Sequence, residues 1–305
     1  MKPGINIADE LAGLVSRATA ISRDESLARH TTLRIGGPAD AYVEPASEAD
    51  LAAVVAFCRG RGLPWFVIGR GSNLLVRDGG FRGVVLSLAH ANFSRIEIDG
   101  ERLRCGAGAK LKLVAVEARR HSLGGLEFLA GIPGSVGGAL RMNAGAMGGA
   151  TFDAVESVRL MDFDGRVREP AREELSVAYR SCATLETHIA LGAVFKGTPA
   201  PRAEIDQRLQ AFNAKRWESQ PAAPSAGCLF KNPAAIPAGR LIDELGLKGA
   251  RVGGAVVSAE HGNFIVNDGA ATARDVLALM AVLQAKAKAA RGIELQPEVE
   301  IIGVD

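Results

Sequence analysis

The sequence predicts an α+β fold, and three observations carry that reading: apolar runs paired across Asp-Gly turns, capping signatures ahead of helical periodicities, and glycine concentrated in loops. In chain order, Ser47-Glu-Ala-Asp50 has the form of a capping box ahead of Leu51, Val54, Val55 and Cys58, which predicts an amphipathic helix closed by Gly60. Trp65 to Ile68 is a short apolar run that ends at Gly69-Arg70-Gly71-Ser72-Asn73, and Val84-Val85-Leu86 follows the Asp78-Gly79-Gly80 turn. Ile96–Ile98 and Leu103–Cys105 flank Asp99-Gly100, and Val158–Phe163 and Val167 flank Asp164-Gly165, so both pairs read as hairpins. From Pro201 the texture changes. Glu204 to Trp217 has the helical period, Thr272-Ala-Arg-Asp275 caps a long helix running to Gly292, and the chain ends in a strand from Val299 to Val304. The apolar runs Ala255–Val257 and Phe264–Val266 keep this second part from being all helical, and a boundary is expected near Gly197 to Pro201.

Composition narrows the class. At 305 residues the chain has room for about two domains of the usual ~150. Charged residues at 23% and the AVILMFWYC set at 48% describe a folded rather than a disordered protein, and a formal net charge of +2 is too small for a protein that coats nucleic acid or anionic membrane. The 36 glycines are about 12% of the chain against a typical ~7%, with no collagen-like period. Cys58, Cys105, Cys182 and Cys228 are far apart and form no CxxC pair, so they read mostly as reduced core thiols. His121, His188 and His261 have no ligand spacing and no accompanying carboxylates, so no catalytic metal is expected. The N-terminus lacks the apolar core of a signal peptide and no long apolar run occurs, which predicts a cytoplasmic protein.

Two glycine-dense segments bear on function: Gly69 to Asn73, and Gly131-Ile-Pro-Gly-Ser-Val-Gly-Gly138 followed by Asn143. Glycine lets successive main-chain N–H groups converge on an anion, so such loops can hold a diphosphate without a large positive charge. Tight turns are the competing reading. Two loops with Ser72, Asn73, Ser135 and Asn143 as polar ligands favour binding. Leu74 stands where the dinucleotide fingerprint needs its third glycine, and no P-loop motif exists, so a large bent dinucleotide held by separate loops fits best. The spacing Gly106-x-Gly108 echoes Gly69-x-Gly71, an echo that could arise by chance.

Six blocks in order resemble the signatures of the UDP-N-acetylenolpyruvoylglucosamine reductase family: Thr31-Thr-Leu-Arg-Ile-Gly-Gly-Pro-Ala-Asp40, Ile68-Gly-Arg-Gly-Ser-Asn-Leu-Leu75, Gly131 to Gly138, Tyr179-Arg180, Pro224-Ser-Ala-Gly-Cys-Leu-Phe-Lys-Asn-Pro233 and Pro297-Glu298-Val299. The resemblance implies the two-subdomain FAD-binding fold of the vanillyl-alcohol-oxidase (PCMH-type) superfamily, with a C-terminal α+β substrate domain. The implied organisation is an N-terminal extension at 1–29, an FAD-binding domain at 30–200 with subdomains of about 30–90 and 91–200, and a substrate-binding domain at 201–305. It implies FAD, NADPH as reductant, and reduction of UDP-N-acetylglucosamine enolpyruvate to UDP-N-acetylmuramate in peptidoglycan synthesis; the FAD is expected to be noncovalent and the protein a monomer, although the sequence does not give the oligomeric state. His30 precedes the first block, and a histidyl-flavin link occurs in some relatives, but noncovalent FAD is the expectation. The 36 residues from Arg180 to Arg216 are fewer than a tyrosine-bearing insertion would need, so the chain resembles the shorter branch of the family.

The implied chemistry gives residues their expected roles. Hydride addition to an enolpyruvyl ether leaves negative charge on the carboxylate side, which calls for cationic or hydrogen-bonding groups and a proton donor for the α-carbon. By the resemblance, Arg180 clamps the carboxylate through its two-donor fork, Glu298 donates to the growing charge if protonated, and Cys228 delivers the proton. Each has a plainer reading: a surface arginine, a strand-start glutamate facing water, a buried inert thiol. Cys228 departs from the serine that many family members carry, and a free thiol, with an ordinary pKa of about 8.5, is protonated enough at neutral pH to donate. Gly69, Arg70, Gly71, Ser72, Asn73, Gly131, Gly134, Ser135, Gly138 and Asn143 are the expected cofactor-binding residues. Arg216, Lys231 and Asn232 are the expected ligands of the UDP diphosphate and sugar, with a solvated basic helix face as the alternative for Arg216. Another FAD oxidase of the superfamily and a nonenzymatic dinucleotide-binding regulator are the competing functions.

Overall fold

The structure, a computed structural model, describes residues 7–305, so the first six residues of the N-terminal stretch read above lie outside the described residues. The chain divides into two compact units that are discontinuous in sequence: residues up to 23, 40–70 and 83–214 form the first, and 24–39, 71–82 and 215–305 form the second.

The first unit carries helix α1 (Ile7–Ala12) and helix α2 (Glu48–Arg61). Ser47 caps α2 by accepting the Asp50 N–H, and Leu51, Val54, Val55 and Cys58 are buried, as the periodicity predicts. The helix does not close at Gly60. Its cap is Gly62, left-handed at φ 62°, whose N–H reaches back to Arg59 and Cys58; a left-handed residue is needed there, whereas Gly60 is one more helical residue. The helix packs beside a four-stranded sheet, in the order Ala20–Ser26, Pro38–Glu44, Phe81–Ser87, Trp65–Ile68, that belongs mainly to this unit.

Helices α3 (Leu111–Arg120) and α4 (Val136–Arg141) pack on a five-stranded antiparallel sheet ordered Val167–Arg168, Val155–Asp162, His188–Lys196, Arg102–Gly106, Ile96–Asp99. Both expected hairpins form. The first loop is Gly100-Glu101 rather than Asp99-Gly100, because Asp99 already pairs with Arg102 and Gly100 takes the left-handed position at φ 57°. The central strand, His188–Lys196, was not legible as a strand. Its Ala190, Ala193 and Phe195 enter the cluster built on α3 and α4, while Ile189 and Leu191 enter the cluster built on α2, so burial on both faces erases the alternation that marks a half-exposed strand.

Helix α5 (Arg202–Ser219) has one buried residue, Ile205, and runs across the division between the units. The second unit contains α6 (Ala238–Glu244), α7 (Ala273–Arg291), a three-stranded antiparallel sheet ordered Arg251–Val252, Ala255–Val257, Ile265–Asn267, and a parallel pair, Leu74–Val76 with Glu300–Ile302. The terminal strand is thus shorter than the apolar run Val299–Val304. Helix α7 has the capping box and left-handed Gly292 that its sequence predicts, and buries Val276, Leu279, Met280 and Leu283 along one face. Asp78, from the glycine turn, adds a second cap by accepting the N–H groups of Ala273 and Arg274 at 2.8 and 3.0 Å. Among the described residues no helix is long and apolar enough to cross a membrane, and no group of His, Cys, Asp and Glu could hold a metal ion.

Candidate functional site

In the first unit the two glycine loops face each other. A Cβ on Gly69 would come within 2.8 Å of the Ser135 hydroxyl and 3.8 Å of the Gly138 Cα, so bare backbone at Gly69 is what lets the loops approach. Gly69, Arg70 and Gly138 are exposed, Gly131 and Gly134 are half-buried, and Ser135 is buried. A methyl group on Gly131 would meet only the Ala146 methyl, at 3.7 Å, and one on Gly138 only the Ser135 hydroxyl, at 3.7 Å. Apposed loops of uncovered main chain are the cradle that a dinucleotide diphosphate requires, so these residues fit FAD.

The second glycine pair works differently. A Cβ on Gly108 would lie 1.8 Å from the Leu88 oxygen and one on Gly106 2.2 Å from the Phe93 oxygen, so these glycines serve close packing. Their segment braces the glycine loop from Gly131 to Gly138 through Val136 N–H to Ala109 O at 2.9 Å, Gly137 N–H to Ala107 O at 2.8 Å, and Leu111 N–H to Gly134 O at 3.2 Å. The echo between the two GxG sequences therefore joins a candidate binding loop and the backbone that supports its partner.

Arg180 stands at the tip of a hairpin between Val177–Ala178 and Ser181–Cys182, with φ at 55°. A left-handed arginine is uncommon, and Arg180 takes that conformation in a two-residue loop with Tyr179. The Arg180 guanidinium lies 5.0 Å from the centroid of the exposed Tyr179 ring, and on another side a Cβ on Gly145 would reach within 3.5 Å of Nη1. Asn143, read from the sequence as a cofactor ligand, uses both side-chain atoms on backbone: Nδ2 donates to Ala178 O at 3.2 Å and Oδ1 accepts from Phe152 N–H at 3.2 Å.

In the second unit four separate segments are tied together. Gly71 sits at φ 58°, where a Cβ would collide with the His30 oxygen at 2.3 Å, and Thr32 N–H donates to Gly71 O at 3.2 Å. The Thr32 hydroxyl donates to Ser225 O at 2.6 Å, which ties the segment carrying Cys228 to the same place. Gly227, at φ 75°, lies where a Cβ would be 3.6 Å from Ser72 O. Glu298 N–H donates to Leu229 O at 2.7 Å, Asn73 Nδ2 donates to Glu298 O at 3.1 Å, and Glu300 N–H donates to Asn73 O at 3.0 Å. Buried Asn263 completes the frame, accepting the Phe230 N–H at 3.0 Å and donating to Phe230 O at 2.7 Å. Thus the segments that carry Ser72, Asn73, Cys228 and Glu298 are tied together by hydrogen bonds of Asn73, Ser225, Leu229 and Glu298, while Thr32 and Asn263 are further contributors to which the sequence assigns no role. Thr32 lies inside the first of the six blocks, whereas Asn263 stands just before the apolar run Phe264–Val266 with nothing to mark it.

The cysteines divide by environment. Cys58 and Cys105 are buried, which pushes their thiols up to about 11 and about 12, and burial likewise raises Cys182. Cys228 is half-exposed. Half-exposed Glu298 is next to it in the framework through Leu229. Lys231 is exposed and its N–H donates to Gln296 O at 2.9 Å. Asn232 spends its side-chain oxygen on the Ala238 N–H, 3.0 Å away, at the start of α6. Arg216, in the last turn of α5, is half-buried and lies 5.6 Å from the Trp217 ring centroid; burial pushes its pKa down, unlike the fully solvated face that was the alternative. His30 is paired with Glu25 at 3.0 Å.

Comparison with known proteins places these features in context. Residues 39–170 match the family described as FAD binding domain, and residues 220–302 match the family described as UDP-N-acetylenolpyruvoylglucosamine reductase, C-terminal domain. The chain is 48% identical over 284 residues to the UDP-N-acetylenolpyruvoylglucosamine reductase of Geobacter metallireducens, covering 93% of this chain and 94% of that one, and 47% identical over 296 residues to the enzyme of that name from Heliobacterium modesticaldum, with the same coverage. The crystal structure of the reductase from Thermus caldophilus superposes with a TM-score of 0.82 at 40% identity, covering 93% of this chain and all of that one.

Proposed function

The chain belongs to the UDP-N-acetylenolpyruvoylglucosamine reductase family, and from that premise we propose that it uses NADPH to reduce UDP-N-acetylglucosamine enolpyruvate to UDP-N-acetylmuramate. It is an FAD-dependent oxidoreductase of peptidoglycan synthesis, and we place it in the cytoplasm as a monomer.

When bound, FAD supplies the hydride relay between NADPH and the methylene carbon of the enolpyruvyl ether. Gly69, Arg70, Gly71, Ser72, Asn73, Gly131, Gly134, Ser135 and Gly138 would hold it, with bare main chain exposed at Gly69 and Gly138 where the two loops approach. Addition at the methylene carbon shifts charge toward the α-carbon and its carboxylate. Arg180 holds that carboxylate, and its charge persists throughout because a guanidinium does not deprotonate at physiological pH. Glu298, in its protonated form, donates a hydrogen bond to the same charge. Cys228 then gives its thiol proton to the α-carbon, which completes net addition of hydride and proton across the double bond; the thiol regains its proton from solvent. Arg216, Lys231 and the amide group of Asn232 bind the UDP portion.

The observation that carries this reading is the bonded framework Asn73–Glu298–Leu229, which sets the main chain of the acid residue beside that of the residue after the thiol. The test is the visible spectrum of the purified protein under anaerobic titration. Flavin bands that bleach with NADPH and return only on addition of the enolpyruvyl substrate are expected. Rapid return with air alone would instead identify an oxidase, and a protein that cannot be reconstituted with FAD would overturn the reading.

A further inference from the structure

We infer that Asn143 is the positioning residue of Arg180: its side-chain amide holds the hairpin that aims the guanidinium, and it does not ligate the cofactor. The inference rests on the proposed role of Arg180 and deepens it. The arrangement is legible in three contacts. Asn143 Nδ2 donates to the carbonyl of Ala178, the last residue of the strand that leads into the Tyr179-Arg180 loop. Its Oδ1 accepts from Phe152 N–H, and Phe152 is wholly buried at 1% exposure, so the amide is anchored on the core side. Between these anchors the chain from Gly145 to Ala150 forms a hairpin turning at Met147 and Gly148, both with positive φ, and Arg180 Nη1 lies against it where Gly145 has no side chain.

The hairpin that carries Arg180 has only two paired residues on each side, Val177 with Cys182 and Ala178 with Ser181. So short a ladder gives little resistance to rotation, and its loop also holds a non-glycine residue in unfavourable left-handed backbone. A hydrogen bond to Ala178 O fixes the arm from outside the ladder. Asn143 is itself left-handed at φ 37°, a conformation asparagine tolerates better than most residues, which aims its amide across to Ala178 while its backbone continues from α4.

Asn143→Asp separates this role from simple architecture. Aspartate tolerates the same backbone and still accepts the Phe152 N–H, but it sets a carboxylate oxygen against Ala178 O and loses the donor. With the flavin reduced by dithionite and then mixed with the enolpyruvyl substrate, reoxidation in N143D is expected to slow by ~10–100-fold, the range that losing one such hydrogen bond and misaiming a charge gives. FAD content and the oxidised spectrum stay those of the parent protein. In the Arg180→Ala background the same N143D change is expected to alter the rate by less than about twofold, because a residue acting through Arg180 has nothing left to act on. Loss of FAD from N143D would make Asn143 a cofactor ligand and overturn the inference, as would slowing that compounds fully with R180A. Unchanged reoxidation in R180A alone overturns the reading of Arg180 and the inference with it, and that result is seen without any change at Asn143. Should N143D fail to fold, Asn143→Gly, which keeps the left-handed backbone and drops both side-chain bonds, runs the same cycle.

Discussion

The side-chain amide of Asn73 donates to the main-chain oxygen of Glu298 at 3.1 Å, joining two positions 225 residues apart. The same two segments are also laced by Glu300 N–H to Asn73 O and by the parallel pairing of Leu74 with Glu300. Asn73 therefore locates the main chain of Glu298 along the strand. Asn73→Asp, which replaces the donor by a carboxylate facing a carbonyl, is expected to lower stability by about 1–3 kcal/mol and slow reoxidation of reduced flavin by the enolpyruvyl substrate about tenfold. Thermal unfolding and stopped-flow absorbance check the two parts, and parent-like values of both would remove the coupling.

Cys228 differs from the other cysteines in being half-exposed, while burial holds the remaining thiols out of reach and raises their pKa values. Iodoacetamide is expected to modify Cys228 first, with enzyme activity lost in step and with protection by the UDP substrate. Peptide mass mapping at partial inactivation reads the site. Cys228→Ser should retain much of the activity, since a hydroxyl can deliver the proton, whereas Cys228→Ala should lose two or more orders of magnitude in flavin reoxidation, roughly the usual contribution of a positioned acid.

Two glycines of opposite environment make a matched pair of stability tests. Gly108→Ala places a methyl 1.8 Å from the Leu88 carbonyl, which the backbone must move to relieve, and should destabilise by about 3 kcal/mol or more and loosen the loop from Gly134 to Gly137 that this segment braces. Gly60→Ala meets nothing within 4 Å on the surface of α2 and should stabilise by about 0.5–1 kcal/mol. Denaturant titration of both variants decides; a neutral G108A would mean the close approach is not needed.

Asp50 is 6% exposed and accepts hydrogen bonds from Ser16 N–H and from the hydroxyls of Ser16, Thr19 and Ser47, at 2.8 to 3.0 Å. Burial alone would raise its carboxyl pKa, but these donors outweigh burial and hold it below the ordinary value. A depressed folded-state pKa contributes stability that is fully present above the unfolded value of about 3.9 and disappears as pH falls through the folded value below it. The parent protein should accordingly lose melting temperature below pH ~4 more steeply than Asp50→Asn, which should be the less stable of the two by about 1–3 kcal/mol at pH 7. Parallel melting curves across that acid range would show that Asp50 is not one of the groups responsible.

Much of the fold was legible because it is written in local chemistry. Thr272, Asp275 and Gly292 bound a long helix through contacts within one turn of its ends, and Asp164-Gly165 bends a hairpin that needs a left-handed glycine, at φ 85°. His188–Lys196 escaped because a strand buried on both faces shows an unbroken apolar run in place of alternation. For the site, ordered blocks carried the family, but they carry no sign of which side-chain atoms are already engaged by the fold: Asn143 and Asn232 both place a side-chain oxygen on a backbone N–H group.

By itself the sequence determined the α+β class, the capped helices, the hairpin turns and the family, since each depends on residues close in the chain or on motifs in a set order. Tertiary structure alone decided that segments 24–39 and 71–82 join 215–305 in one compact unit, that Thr32, Asn73, Glu298 and, on either side of Cys228, Ser225 and Leu229 belong to one bonded framework, and that Gly108 serves packing while Gly69 faces Ser135. The physical reason is common to all three. Closing a long loop costs entropy that grows only slowly with its length, so nothing in the local sequence marks which distant segments will meet; which pairing forms is decided by the apolar surface that a meeting buries and the main-chain hydrogen bonds it completes.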